Sequence, residues 1–251
     1  LGFYHQKVLG IRENQTLEVT INNMDKGNLV HKVLEALYKP YQNKFLEPSD
    51  YNEMRKKFPS LMEKEYQNIF HGDNKKTGRN YIIFEVIKKS IFDFLAIEEA
   101  FVINGDKIKI LAIEKSFEQS INIPGLNFPV KIVGVVDRMD EFNGNLRIID
   151  YKTAEIHPQQ LSLTDWNHLR ENTSFNYLFQ ILLYSYFHLY EISQYNKSYA
   201  GIISFRNLPE YFMPFETKTN NSYSLCEKNL KNFEKILFEL INEIFDSKIN
   251  F

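Results

Sequence analysis

Asp137, Asp150 and Lys152 are the residues whose types and spacing could do chemistry. Asp150-Tyr151-Lys152 follows the run Gly134-Val-Val-Asp-Arg-Met-Asp140, with Asn143-Gly144 between them. Asn-Gly is the strongest short signal for a two-residue hairpin turn of type I′. Such a turn runs Val133 to Glu141 antiparallel to Asn145 to Thr153 and sets Asp137 directly opposite Asp150. Like charges facing each other across a sheet are destabilising, and a cation between them would relieve the repulsion. Lys152, two residues beyond Asp150, projects from the same strand face. Two facing carboxylates and an ammonium suit metal-assisted phosphodiester hydrolysis. That reaction needs a polarised phosphate, a deprotonated water and relief of charge on the leaving oxygen. Mg²⁺ prefers hard oxygen donors, which Asp137 and Asp150 would supply while Lys152 orients or acidifies the water. Read singly, each is unremarkable: an Asp near a turn, a solvated strand Lys.

Other residues bear on the same site. Arg138 and Asp140 are expected on the opposite sheet face from Asp137, with Asp140 meeting Arg147 in a structural ion pair. Tyr151 also points away, although its carbonyl could complete a metal shell. Gln180 and Tyr184 share one helix face at i, i+4 and alone read as core and rim residues. His31 alone reads as a partly exposed helix histidine, and Glu114 as the partner of a nearby Lys.

Together these segments resemble the RecB-type branch of the PD-(D/E)XK nucleases. The resemblance rests on Gly134 to Asp140, on Ile148-Ile-Asp-Tyr-Lys-Thr153, and on Gly27-Asn-Leu-Val-His31 with Val33-Leu-Glu35. Ala112-Ile-Glu-Lys-Ser-Phe117 and Gln180-Ile-Leu-Leu-Tyr184 complete it, over roughly residues 3 to 190. It implies His31, Asp137 and Asp150 as metal ligands, with the Tyr151 carbonyl beside them. Glu114 matches the acidic residue of the preceding strand, and Lys152 the catalytic lysine. Gln180 and Tyr184 match a motif that contacts DNA or braces the catalytic strand. The expectation is a Mg²⁺- or Mn²⁺-dependent deoxyribonuclease, an exonuclease, within a bacterial helicase–nuclease for double-strand-break repair and recombination. Its partners would be DNA and a helicase domain or subunit. AddB-type relatives often carry a four-Cys iron–sulfur cluster, with one Cys ahead of a segment like Phe3-Tyr-His-Gln-Lys-Val-Leu-Gly-Ile11 and three beyond one like Leu240 to Asp246. Such a cluster is expected only if the full-length protein carries those flanking Cys.

Two rival readings remain. One is a catalytically idle domain of the same fold that holds DNA ends or partner subunits, against which the intact Asp137, Asp150 and Lys152 argue. The other is a small-phosphoester hydrolase with residues 154–174 as a closing lid.

The elements that must position these residues are legible from periodicity. Asp25 looks like the N-cap of a helix to about Tyr38, with Leu29, Val30, Val33, Leu34 and Leu37 as its apolar stripe; Pro40 ends it. Ser49 opens a second helix to about Phe70, with a break expected near Pro59. His71 to Arg79 is polar, and its basic stretch Asn74-Lys-Lys-Thr-Gly-Arg79 could touch phosphates or simply be solvated. A third helix follows from Asn80 to about Ile97. Lys107 to Ile123, Val130 to Glu141 and Asn145 to Thr153 read as strands, and Ala154 to Ser174 as a long polar connection of the kind that is often a functional lid or disordered. A helix from Phe175 to Tyr190, a strand from Ser198 to Phe205 and a helix from Ser224 to Ile244 complete the chain. The expected fold is α/β (mixed α+β): a central mixed sheet flanked by helices, a restriction-endonuclease-like core with an N-terminal helical portion. One domain over 1–251 is expected, helical to about residue 100 and sheet-based from 101, a C-terminal fragment of a longer protein.

The chain has 251 residues, 43% apolar and 25% charged, with 21 Phe and 15 Tyr, ample for a core. No apolar run approaches a membrane span, and the single cysteine, Cys226, excludes an internal disulfide framework or a Cys-based metal cluster within these residues. A bacterial cytoplasmic setting is the expectation. The net charge of −2 lacks the basic balance common in nucleic-acid binders, which a larger parent carrying the DNA grip would reconcile.

Overall fold

The computed structural model describes residues 21–70, 78–188, 192–217 and 225–246. Helix α1 (Asn23–Tyr38) begins earlier than expected: Asn22 is its N-cap, its side chain accepting from the Asp25 N–H at 2.8 Å, and Asp25 lies in the first turn. All five residues of the expected apolar stripe are buried. A 3₁₀ turn at Lys39–Tyr41 follows. Helix α2 (Pro48–Ile69) continues straight through Pro59. The proline is exposed, and Tyr51, Met54, Phe58, Met62 and Tyr66 bury one stripe on both sides of it, so tertiary packing holds the helix across the missing donor. Helix α3 (Gly78–Ile103) is longer than its sequence pattern suggested.

The strands are β1 (Ile108–Asn122), β2 (Pro129–Phe142), β3 (Asn145–Lys152), the short β4 (Ser162–Leu163), β5 (Ser198–Ser204), β6 (Met213–Pro214) and β7 (Glu216–Thr217). Helices α4 (His168–Glu171) and α5 (Asn176–Phe187) lie between β4 and β5, and α6 (Glu227–Phe245) follows β7. The main sheet has the order β1-β2-β3-β5-β6. Its pairs are antiparallel except β3 with β5. The intervening α5 supplies the crossover that a parallel pair requires. A second, two-stranded sheet pairs β4 with β7.

The turn between β2 and β3 has positive φ at both Asn143 and Gly144, as type I′ demands. The register is the expected one, with Asp140 opposite Arg147 and Arg138 opposite Ile149. Pairing of β2 with β3 extends only from Arg138 to Phe142, however, short of the predicted Val133. Beyond that point β3 continues along β5, up to Lys152 opposite Ser204.

Helical layers cover the sheet on both faces. Leu146 and Ile148 of β3, with Ala200 and Ile202 of β5, pack on the α5–α6 side, while Ile149, Tyr151 and Ile203 pack against α1 to α3. Residues 154–174 form a packed connection rather than a lid. They contain 3₁₀ turns at Pro158–Leu161 and Thr173–Phe175 besides β4 and α4. Ile156, Leu161, Leu163 and Leu169 are buried, and Ser204 Oγ donates to the Ala154 carbonyl at 2.6 Å. Residues 1–20, 71–77, 189–191, 218–224 and 247–251 lie outside the described residues, and with them the expectations for Phe3 to Ile11, for most of the 74–79 basic stretch and for Ser224.

Candidate metal centre

Alternation places Asp150 and Lys152 on the α5 side of β3 and Tyr151 on the other. Lys152 Nζ lies 2.7 Å from Asp150 Oδ2 and donates to Gln180 Oε1 at 2.9 Å. Gln180 Nε2 in turn donates to the Tyr184 hydroxyl at 2.6 Å. One turn of α5 thus braces the ammonium, with the ring of Tyr177, one turn earlier, 5.4 Å from Nζ. Burial pushes the Tyr184 hydroxyl up to about 12, so it remains a neutral hydrogen-bonding partner.

The second half of the site forms where regular pairing fails. Ile113 pairs with Arg138 and Lys115 with Val136, but Glu114 and Asp137 between them are unpaired in the ladder. Glu114 adopts φ +47°, a left-handed conformation uncommon for a non-glycine residue and a recurrent feature of functional sites. The strands' alternation breaks there too: Val136 and Met139, three residues apart, pack into the same core. Asp137 consequently uses Oδ2 to accept the Tyr151 N–H at 2.6 Å instead of standing in a regular pair with Asp150.

His31 reaches this point from α1. Its Nδ1 lies 3.3 Å from Glu114 Oε1 and 3.4 Å from Asp137 Oδ1, and its Nε2 lies 3.2 Å from the Tyr151 carbonyl. Burial pulls the imidazole pKa down, but hydrogen bonding to Asp137 and Glu114 and their charges prevail and push it up to about 10. The ring is therefore an imidazolium at neutral pH, with each N–H aimed at an oxygen. Asp150 is pushed up to about 7 by burial and then by the charge of Asp137, against the pull of Lys152 and His31.

The predicted residues fall into two adjoining groups. Glu114 joins His31 and Asp137 in a cluster whose potential ligand atoms lie within 4.8 Å of one another. Asp150 lies outside that cluster and is held by Lys152. The set fits a hard divalent cation by its donor chemistry: two carboxylates, one imidazole and one main-chain carbonyl. The site's own physics says the same, since a protonated histidine here neutralises two carboxylates as a metal ion would. Sequence reasoning passed over Tyr177 and Glu98. Glu98 could have been found, because the α3 stripe of Phe84, Ile87, Ile91, Phe94 and Leu95 continues onto it at helical spacing.

On the other side of the sheet, Arg138 and Asp140 lie where expected and Asp140 meets Arg147; all three are buried. Arg147 Nε and Nη2 donate to the two oxygens of Asp140 at 2.7 and 2.8 Å. Burial alone would raise the Asp140 pKa, but Arg147 and Arg138 hold it below the usual carboxylate range.

With this geometry in view, the chain belongs to the PD-(D/E)XK nuclease superfamily, whose family model matches residues 1–251. Membership and the acidic cluster imply a metal-dependent nuclease. An uncharacterised protein of Rickettsia conorii is 28% identical over 166 residues, covering 62% of this chain and 17% of that protein. One of Rickettsia felis is 29% identical over 161 residues, and one of Rickettsia bellii 30% over 169, with the same coverage of each chain. The chain thus spans about a sixth of the length of these relatives. The solved structure of SSO0001 aligns over 95% of this chain and 83% of its own at 14% identity, with a TM-score of 0.25. No described helix is long and apolar enough to cross a membrane.

Proposed function

We propose that this chain is a Mg²⁺- or Mn²⁺-dependent deoxyribonuclease domain of the RecB/AddB-like branch, acting as an exonuclease within a larger bacterial helicase–nuclease for DNA repair and recombination. The observation that carries the nuclease reading is the convergence of His31, Glu114 and Asp137 beside the Asp150–Lys152 pair. A bound divalent cation would polarise the scissile phosphate and lower the pKa of a water. His31, Glu114, Asp137 and the Tyr151 carbonyl would hold it, with Asp150 completing the shell. Lys152, fixed by Gln180, orients the attacking water and compensates charge on the phosphate. Gln180 and Tyr184 keep that ammonium from collapsing wholly onto Asp150. The helicase context draws on the sequence resemblance and on the far greater length of the relatives.

The test is cleavage of linear and circular DNA, single- and double-stranded, with Mg²⁺ or Mn²⁺. Lys152→Ala is expected to lower the rate at least about 10²-fold, the typical contribution of a positioned proton-handling group. Cleavage of linear but not circular substrates would bear out exonuclease action. No cleavage, together with no metal-induced rise in melting temperature, would refute the reading in favour of an idle scaffold.

A further inference from the structure

The peptide at the centre of the site is anchored from behind by a buried charge network. Tyr151 contributes its main chain to the site: its N–H donates to Asp137 at 2.6 Å and its carbonyl faces His31 Nε2 at 3.2 Å. Its side chain leaves through the opposite face of the sheet and is only 2% exposed. There Arg138 Nη1 donates to its hydroxyl at 3.2 Å.

Arg138 is fully buried and is itself held on two sides, by Glu98 Oε1 at 2.9 Å and Asp140 Oδ2 at 2.6 Å. Its guanidinium also lies 4.8 Å from the ring centre of Tyr38. Glu98 accepts hydroxyl hydrogen bonds from Tyr38 at 2.7 Å, Tyr51 at 3.3 Å and Tyr211 at 2.7 Å. Through Glu98 and its partners, α1, α2 and α3 are tied to the side chain whose own peptide forms the metal centre. Glu98 and Asp140 balance Arg138 and Arg147, so the network carries no net charge.

Stability alone is a weak reason for such a network, since well-packed apolar residues of similar volume often do as well or better. What a buried network of this kind provides, with Arg138 bonded through Nη1 and ion-paired to two carboxylates although its Nε has no hydrogen-bond partner, is a single geometry. The geometry it fixes here is the ring plane of Tyr151, and with it the direction of the Tyr151 N–H and C=O. Those two groups set the place of Asp137 and of the carbonyl beside His31.

We propose that Tyr151, acting with Arg138 and Glu98, is a positioning unit that sets the ligand geometry of the metal centre from the face of the sheet covered by α1 to α3. The proposal rests on the nuclease reading of this site and deepens it. Tyr151→Phe removes only the hydroxyl and keeps the ring among Phe94, Phe205 and His31.

The first readout is amide hydrogen exchange followed by NMR in the metal-free protein. The Tyr151 amide is expected to exchange about tenfold faster in the variant, as a local opening, while Ile148 and Ile202 keep their wild-type rates. The second is Mn²⁺ affinity, expected to weaken about tenfold, the lower end for loss of an outer-shell partner. In DNA cleavage kcat falls while KM holds. Glu98→Gln, which keeps the shape but removes the charge facing Arg138, shifts all three in the same direction. An unchanged Tyr151 amide, or a uniform rise across all core amides with Mn²⁺ affinity retained, would overturn the proposal and leave only a stability role. Exchange is read without metal or DNA, so a wild-type protein that neither cuts DNA nor gains stability from metal would refute the nuclease reading while the exchange rates still test this one.

Discussion

Raising the pH should exchange the proton that His31 carries for a metal ion. With its pKa pushed up to about 10, the imidazole is charged across the neutral range and cannot ligate. A cation entering between Glu114 and Asp137 must expel that proton. At pH 7 the expulsion costs about 4 kcal/mol, three pKa units at about 1.4 kcal/mol each. Mn²⁺ affinity should therefore rise nearly tenfold per pH unit from about pH 7 to 9 and level off near 10. Calorimetry in two buffers of different ionisation enthalpy should find about one proton released per ion at pH 8. The same groups govern the stability of the metal-free protein. The folded pKa values of His31 and Asp150 both lie above their ordinary values, so their stabilisation is present in acid and lost as pH rises. Asp150 loses it through about 7 and His31 through about 10. Between pH 6 and 9 the two losses together come to about 4–5 kcal/mol, or roughly 10–20 °C in melting temperature for a domain of this size, and saturating Mn²⁺ should restore it. His31→Ala should flatten the pH dependence and abolish the proton release. No proton released at pH 8, or a metal-free melting temperature as insensitive to pH as that of His31→Ala, would refute the reasoning.

Two further predictions concern the scaffold. A Cβ on Gly201 would lie 2.3 Å from the Met213 carbonyl oxygen and 2.7 Å from the Phe212 ring. Gly201→Ala must therefore push β6 from β5, and urea unfolding should show a loss of about 2–3 kcal/mol, typical of an overpacked core; no loss would mean that β6 yields freely. Asn22→Ala removes the α1 cap and should cost about 1 kcal/mol by thermal unfolding, with the wild-type value retained if the frayed first turn satisfies its own donors.

Where the chain obeys a simple period, its structure was legible. The stripe Leu29, Val30, Val33, Leu34 and Leu37 announced α1, and Asn143-Gly144 fixed both the turn and the register that sets Asp140 against Arg147. The element order followed from the change of period near residue 104. The misreadings have local causes. Asp25 and Asn22 are both capping residues three apart, and periodicity does not choose between them. Pro59 breaks an isolated helix but not one clamped by Phe58 and Met62. The polar look of residues 154–174 hid four buried anchors, because apolar residues spaced irregularly produce no period.

The site itself is where periodic reasoning had to fail. Strict alternation would hold Glu114 and Asp137 as a regular cross-strand pair and Asp137 and Asp150 as another, three carboxylates abreast with nothing to separate them. The chain escapes this by leaving the ladder at those positions. Glu114 takes a left-handed φ, Asp137 binds the Tyr151 amide, and Asp150 turns to Lys152. His31 of α1 brings its charge to Glu114 and Asp137 at that point. A sheet distorted around a proton is thus already shaped for a cation. The conformational cost of that distortion falls on Glu114, and the helical layer of α1 to α3 supplies both the histidine that meets it and, through Tyr38, Tyr51 and Glu98, the anchor for Tyr151.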